Sequence, residues 1–200
     1  MSNSDDQSYR FQLQCQCGDF KAAISVPRSE KLSHLTCYCE DCQKAARHIG
    51  AESTLDEHGG TDIVQVSPAS ITLPNGADNL SCVMVTEKGP TRWYTTCCQS
   101  PICNTVPKRN FPYVGLVHKT AMSKHENKRF VEFVGPPVFG VNAGKLHPLK
   151  KPFPVFKGFG FRGLITTVRS VLRWRFRGDG KHNPFLNELD KPIVKPERLA

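Results

Sequence analysis

The sequence predicts a mainly β domain of short antiparallel strands with a helical extension at its C-terminal end. Three observations carry this. Apolar residues alternate in short runs as far as Val134. Gly, Pro and Asn interrupt those runs at close intervals, and a long helical stripe begins only near Gly163.

Taken in order, Phe11 and Leu13 lead into Cys15, and Cys17-Gly18 makes a corner where glycine tolerates positive φ. Phe20, Ala22, Ile24 and Val26 alternate as the buried face of a strand that Pro27 ends. Leu35–Tyr38 is extended, and Asp41 is positioned to cap a short helix from Cys42 to His48 that stops at Gly50. Extended runs follow at Ile63–Val66, Ile71–Leu73, Leu80–Val85 (after the Asn75-Gly76 turn), Arg92–Tyr94, Pro101–Val106, Tyr113–Val117 and Phe130–Val134. After Gly135-Pro136-Pro137 the chain is rich in Pro and Gly. A helix then runs from about Gly163 to Gly178 with Leu164, Ile165, Val168, Val171 and Leu172 as an apolar stripe expected to pack on the domain. The predicted organisation is a flexible segment 1–9, a domain 10–135, a Pro/Gly-rich segment with a basic helix 136–190, and a loosely held tail 191–200.

The 200 residues, 38% hydrophobic and 22% charged, suit one globular domain with an appendage. The stretch Met1–Ser8 is polar and no run of about 18 apolar residues occurs, so neither a leader nor a transmembrane span is expected and a cytoplasmic setting is. The formal net charge of +9 is unevenly spread: residues 1–100 carry 8 Lys and Arg against 12 Asp and Glu, and residues 101–200 carry 19 against 6. A block that basic attracts nucleic acid, an anionic surface or a small acidic substrate, and a solvated face accounts for it equally well.

The chemistry is written in sulfur. Nine cysteines exclude complete internal pairing, and five fall at Cys15-x-Cys17-Gly18 and Cys37-x-Cys39-x-x-Cys42, with Cys97-Cys98 later. Thiolates this closely spaced suit zinc, one or two ions per chain. Residues 37 and 39 share one side of a strand end and a turn returns residue 42. That leaves either an open coordination position, as in a catalytic site, or a closed site completed by a donor from elsewhere. Cys15 and Cys17 need partners from a distant segment, and Cys97 and Cys98 lie between two strand-like runs. Cys82 and Cys103 read as buried apolar residues. His34 and His48 flank the second motif as candidate proton donors or ligands. His118, His125, His147 and His182 have no partner at metal-binding spacing.

These motifs resemble the glutathione-dependent formaldehyde-activating family, which includes the centromere protein V-like proteins. The match lies in Cys15-Gln16-Cys17-Gly18, in Cys37-Tyr38-Cys39-Glu40-Asp41-Cys42, and in an altered third motif, Tyr94-Thr95-Thr96-Cys97-Cys98-Gln99-Ser100. The resemblance covers roughly residues 10–135 and implies an Mss4-like β-tent with two zinc positions. A structural ion would take Cys15, Cys17 and Cys98, with Thr95 at the fourth position and Cys97 as its neighbouring substitute. A catalytic ion would take Cys37, Cys39 and Cys42, with Tyr38 in place of a histidine. The implied reaction is that of a carbon–sulfur lyase joining glutathione and formaldehyde as S-(hydroxymethyl)glutathione, with Arg92 and Lys108 as candidates to orient an anionic thiol and Asn183-Pro184-Phe185 as a lid. A zinc-stabilised binding module for nucleic acid or another anionic partner is the alternative, and thiol redox chemistry at Cys97-Cys98 is the third reading.

Overall fold

A computed structural model describes residues 8–75 and 77–199, so the N-terminal expectation for residues 1–7 and Gly76 of the predicted turn lie outside the described residues. The architecture is mainly β, with eleven strands in two sheets and three α-helices among the described residues.

The smaller sheet joins β1 (Ser8–Gln14), β2 (Lys21–Pro27) and β5 (Ile71–Asn75) in the order β1-β2-β5. The larger contains β3 (Ser33–Cys37), β4 (Thr61–Val66), β6 (Leu80–Met84), β7 (Thr91–Thr95), β8 (Pro101–Thr105), β9 (Val114–Leu116), β10 (Phe139–Val141) and β11 (Glu197–Arg198). Its order is β10-β3-β4-β9-β8-β7-β6-β11. The two edge pairings, β10 with β3 and β11 with β6, are parallel, where antiparallel pairing alone was expected. Both edge strands return after long excursions, which is what a parallel neighbour requires. Residues 139–141, placed outside the domain on sequence, thus extend its sheet, and the tail contributes β11.

One face of the larger sheet shares a core with the smaller sheet. Phe11, Leu13, Phe20, Ala22, Ile24 and Val26 meet Val64, Val66, Trp93, Cys103, Val114 and Leu116. The opposite face carries Leu35, Cys37, Ile63, Phe139 and Val141. The division follows from period-two alternation, which sends His34 and Thr36 of β3 to one side and Leu35 and Cys37 to the other.

The run Phe130–Val134, expected as a strand, lies in α2 (Lys124–Val134). The reason is local: the Ser123 side chain accepts from the Glu126 N–H, the start of a capping box that apolar counting overlooks. Glu126 Oε2 in turn accepts from Gln12 N–H at 3.1 Å, fastening α2 to β1. Phe130 meets Phe11 edge to face at 5.0 Å.

The long helix α3 (Phe161–Arg177) ends on Gly178 in the left-handed region, near the expected bounds. Its buried face differs from the expectation. Gly163, Thr167, Val171 and Trp174 are buried, whereas Leu164, Ile165, Val168 and Leu172 are 39–52% exposed. Polar partners set this rotation. The Gln65 amide and Thr167 hydroxyl bond at 2.8 Å, and the Trp174 indole N–H donates to the Glu30 carboxylate. Phe185, proposed as a lid, is fully buried against Trp93 with ring centroids 5.1 Å apart.

Candidate metal centres

The first centre is built from two turns. The β1–β2 hairpin turns at Gly18 (φ 86°), and Cys15 Sγ accepts the Phe20 N–H. The β7–β8 connection brings Cys97 and Cys98 opposite, and the Ser100 hydroxyl accepts the Gln16 N–H at 3.2 Å, tying the turns together. Directly after the adjacent pair the turn passes through Gln99 at φ 56°, a conformation that costs a non-glycine residue. The ligand atoms of Cys15, Cys17, Cys97 and Cys98 all lie within 4.8 Å of one another. Four of the sulfur separations run from 3.3 to 3.9 Å. A tetrahedral ion with metal–sulfur bonds near 2.3 Å holds its sulfurs about 3.8 Å apart, so the group is compatible with zinc. Thr95, at the fourth position implied by the resemblance, stands beside this group: its Oγ1 lies 3.5 Å from Cys98 Sγ and accepts the Ser100 N–H. Burial opposes ionisation of Cys98, yet hydrogen bonds from Ser100 and Thr95 bring its pKa down to about 5.

The second centre sits where β3 ends and α1 (Glu40–His48) begins. Cys39, not Asp41, is the N-cap, with its sulfur accepting the Cys42 N–H; Glu40 and Asp41 occupy the first turn. The helix N-terminus thereby faces the thiol group, and its dipole favours thiolate there. Cys37, Cys39 and Cys42 converge within the same 4.8 Å limit, with no fourth His, Cys, Asp or Glu in the group among the described residues. Hydrogen bonds from Cys37 and then Cys42 lower Cys39 to about 2, while Cys37 rises to about 11 because Cys39 shares its proton. Cys39 is the partly exposed member of the trio; Cys37 and Cys42 are buried. The Asn142 amide reaches Cys37 Sγ at 3.7 Å. Phe156 and Phe159, brought over by hydrogen bonds between the 154–158 segment and residues 140–144, pack against the group.

Tyr38 points away from these sulfurs. Its ring contacts the Cα sides of Gly60 and Gly140, and its hydroxyl donates to Asp56 Oδ2 at 3.1 Å. Cys42 also lines a cavity of about 30 Å³ together with Arg92, Asn104, Thr61, Trp93 and the α1 residues Ala45, Ala46 and Ile49. Arg92 is 6% exposed. It donates to Pro90 O and stands 3.8 Å from Asp41, and its Nε has no hydrogen-bond partner. Lys108 is exposed and does not line this cavity.

A third group was not legible in the spacing. His34, Asp62 and His118 bring their ligand atoms within 4.8 Å of one another. His34 thus lies on the face of β3 opposite the thiols, and His118, read as partnerless, meets it from 84 residues away. Burial pushes both imidazoles below the ordinary value, His118 to about 4. His48 is instead at the end of α1, 3.0 Å from Glu197. All nine cysteines are free, and Cys97 and Cys98 are 3.9 Å apart, without a bond between them.

Residues 8–158 match a family model described as a family of unknown function, DUF6151. The chain belongs to the DUF6151 family. Its matched span takes in both thiol groups, the histidine pair and β10, and ends before α3. Comparison of this DUF6151 chain with curated proteins gives no match. No helix among its described residues is long and apolar enough to cross a membrane.

Proposed function

We propose that this protein is a zinc-dependent enzyme of the carbon–sulfur lyase type, acting on the adduct of a small thiol and an aldehyde. In this reading Cys15, Cys17, Cys97 and Cys98 hold a structural ion in an Mss4-like β scaffold, and Cys37, Cys39 and Cys42 hold a catalytic one. The observation that carries it is the contrast between the two groups: four sulfurs make one, whereas the other has three, of which Cys42 lines a small cavity. Zinc bound by three thiolates would supply Lewis acidity and favour a substrate thiol as thiolate near neutral pH.

The chain's own residues would do the rest. A cavity of about 30 Å³ admits a molecule of one or two water volumes, the scale of a one-carbon aldehyde. The larger thiol would approach from the exposed side of Cys39. The unpartnered Nε of Arg92, in the cavity lining, offers a buried cationic donor to the aldehyde oxygen. Ala45, Ala46, Ile49 and Trp93 exclude water around the reacting carbon. In the reaction the thiolate sulfur bonds to the carbonyl carbon, the C=O π pair moves to oxygen, and the proton released by the thiol returns to that oxygen. Nothing else is consumed.

The test is exchange NMR with 13C-formaldehyde and glutathione, which reads adduct formation above the spontaneous rate. Acceleration by the zinc-loaded protein, lost in Cys39→Ser and weakened through KM in Arg92→Met, supports the proposal. Absence of acceleration with glutathione and with other small thiols overturns it.

A second reading has its own observation. Phe161, Leu164, Ile165, Val168, Leu172 and Phe176 are exposed along one side of α3 and span about 120° of the helix at 100° per residue. Arg162, Arg169 and Arg173 lie together along one edge of this arc, and the exposed Arg175 falls within it. We infer an anionic bilayer surface as the occupant, since an apolar arc gains nothing against a phosphate backbone. Co-sedimentation with phosphatidylserine-containing vesicles, lost on Leu164→Glu and absent with pure phosphatidylcholine, supports it. Binding to nucleic acid in preference to vesicles overturns it.

A further inference from the structure

We propose that His34, His118 and Asp62 form a separate site for a divalent first-row transition ion, with two imidazole nitrogens and a carboxylate as donors. The β3–β4 register pairs Thr36 with Asp62 and His34 with Val64, which sets His34, Thr36 and Asp62 on the face away from Cys37. His118 follows β9, the other neighbour of β4, and so arrives on the same face.

The outer ring nitrogens fix the inner ones. His34 Nδ1 lies 2.7 Å from Gly135 O, and a carbonyl only accepts, so Nδ1 carries the proton and Nε2 presents a lone pair inward. His118 Nδ1 lies 2.6 Å from Asn127 Oδ1 and is oriented in the same way. The two Nε2 atoms then face each other at 3.2 Å, an arrangement that calls for a shared cation. Metal–nitrogen bonds of about 2.0–2.1 Å at angles between octahedral and tetrahedral place two nitrogens roughly 2.9–3.4 Å apart. Outer partners that take the second ring N–H are the usual support of histidine ligands, and Thr36, donating to Asp62 Oδ1 at 2.7 Å, holds the carboxylate in the same manner. Two nitrogens and one oxygen leave further positions for water or a small ligand.

Lys119 is the competing cation. Its Nζ lies 2.6 Å from Asp62 Oδ2, and its side chain is half exposed. The rival account is a proton shared between the imidazoles, with Asp62 paired to Lys119 alone.

Cobalt(II) titration of the full chain separates the two. Ions on thiolates absorb in the near ultraviolet by sulfur-to-metal charge transfer, and an ion on His34, His118 and Asp62 does not. The expected result is an additional equivalent bound without that absorption, lost in His118→Ala and bound more tightly in Lys119→Met, which removes the competing cation from Asp62. A wild-type chain that binds only the equivalents accounted for by sulfur overturns the proposal. Should His118→Ala not fold, unchanged cobalt affinity in both Lys119→Met and Asp62→Asn overturns it equally. Because the sulfur bands are read separately, failure here leaves the thiol-centre reading standing.

Discussion

Replacing Trp174 with Phe tests what sets the rotation of α3. The indole is 1% exposed and its N–H donates to Glu30, whose side chain is 2% exposed and whose other oxygen accepts from Arg177 at 3.0 Å. Arg177 also holds Asp179, and Asp179 accepts the Ser67 hydroxyl at 2.6 Å, so one network joins the helix to the β2–β3 and β4–β5 connections. Phe fills most of the space and donates nothing. A hydrogen bond to a charged group is worth about 1.5–3 kcal/mol, and the smaller ring forfeits roughly 1 kcal/mol of burial. The expected loss, about 3 kcal/mol, is a large part of the roughly 5–15 kcal/mol that holds a domain. At this chain length it lowers the melting temperature by roughly 6–12 °C. Urea denaturation of Trp174→Phe, Glu30→Gln and the double variant measures the coupling directly. A coupling indistinguishable from zero refutes the argument that this buried pair, and not the stripe Leu164–Leu172, docks the helix.

Four further outcomes are expected. Ser123→Ala removes the α2 cap and costs about 1 kcal/mol in denaturant titration. Gly180→Ala places a Cβ 1.9 Å from the Arg109 carbonyl oxygen, a backbone atom that cannot move away, so thermal melts should show a loss of several degrees or an insoluble chain. Asp56 accepts the His58 and Gly60 N–H groups and pairs with Lys151; although burial works against its charge, these partners hold its carboxyl below the ordinary value. Its contribution is therefore present above the unfolded carboxylate pKa and lost as pH falls through the lower folded one, and Asp56→Asn should flatten the acid limb of melting temperature against pH. Finally, if Cys97 closes a structural site, Cys97→Ser should release metal and destabilise the whole domain, whereas Cys39→Ser should leave circular dichroism melts nearly unchanged, because β3, β4 and β10 hold that segment without it.

The strands and the thiol motifs were legible because their signals are short in range. Period-two alternation marks Phe20 to Val26, and C-x-C and C-x-x-C spacings need only a turn to bring sulfurs together. The Ser123 N-cap with Glu126 three residues on was an equally local signal, and it favours α2 over the strand-like look of Phe130–Val134. Other features had no local signature. His34 and His118 are 84 residues apart and meet only because β3, β4 and β9 are neighbours in the sheet. The stripe on α3 is a true helical pattern, but an amphipathic period says which residues share a face and not which face turns inward; Gln65 and Glu30, from distant strands and loops, decided that. Sequence by itself therefore determined the mainly β class and the grouping of the cysteines. Tertiary structure alone decided the parallel edges, the outward apolar arc and the histidine pair, since each depends on contacts between segments that the chain order keeps far apart.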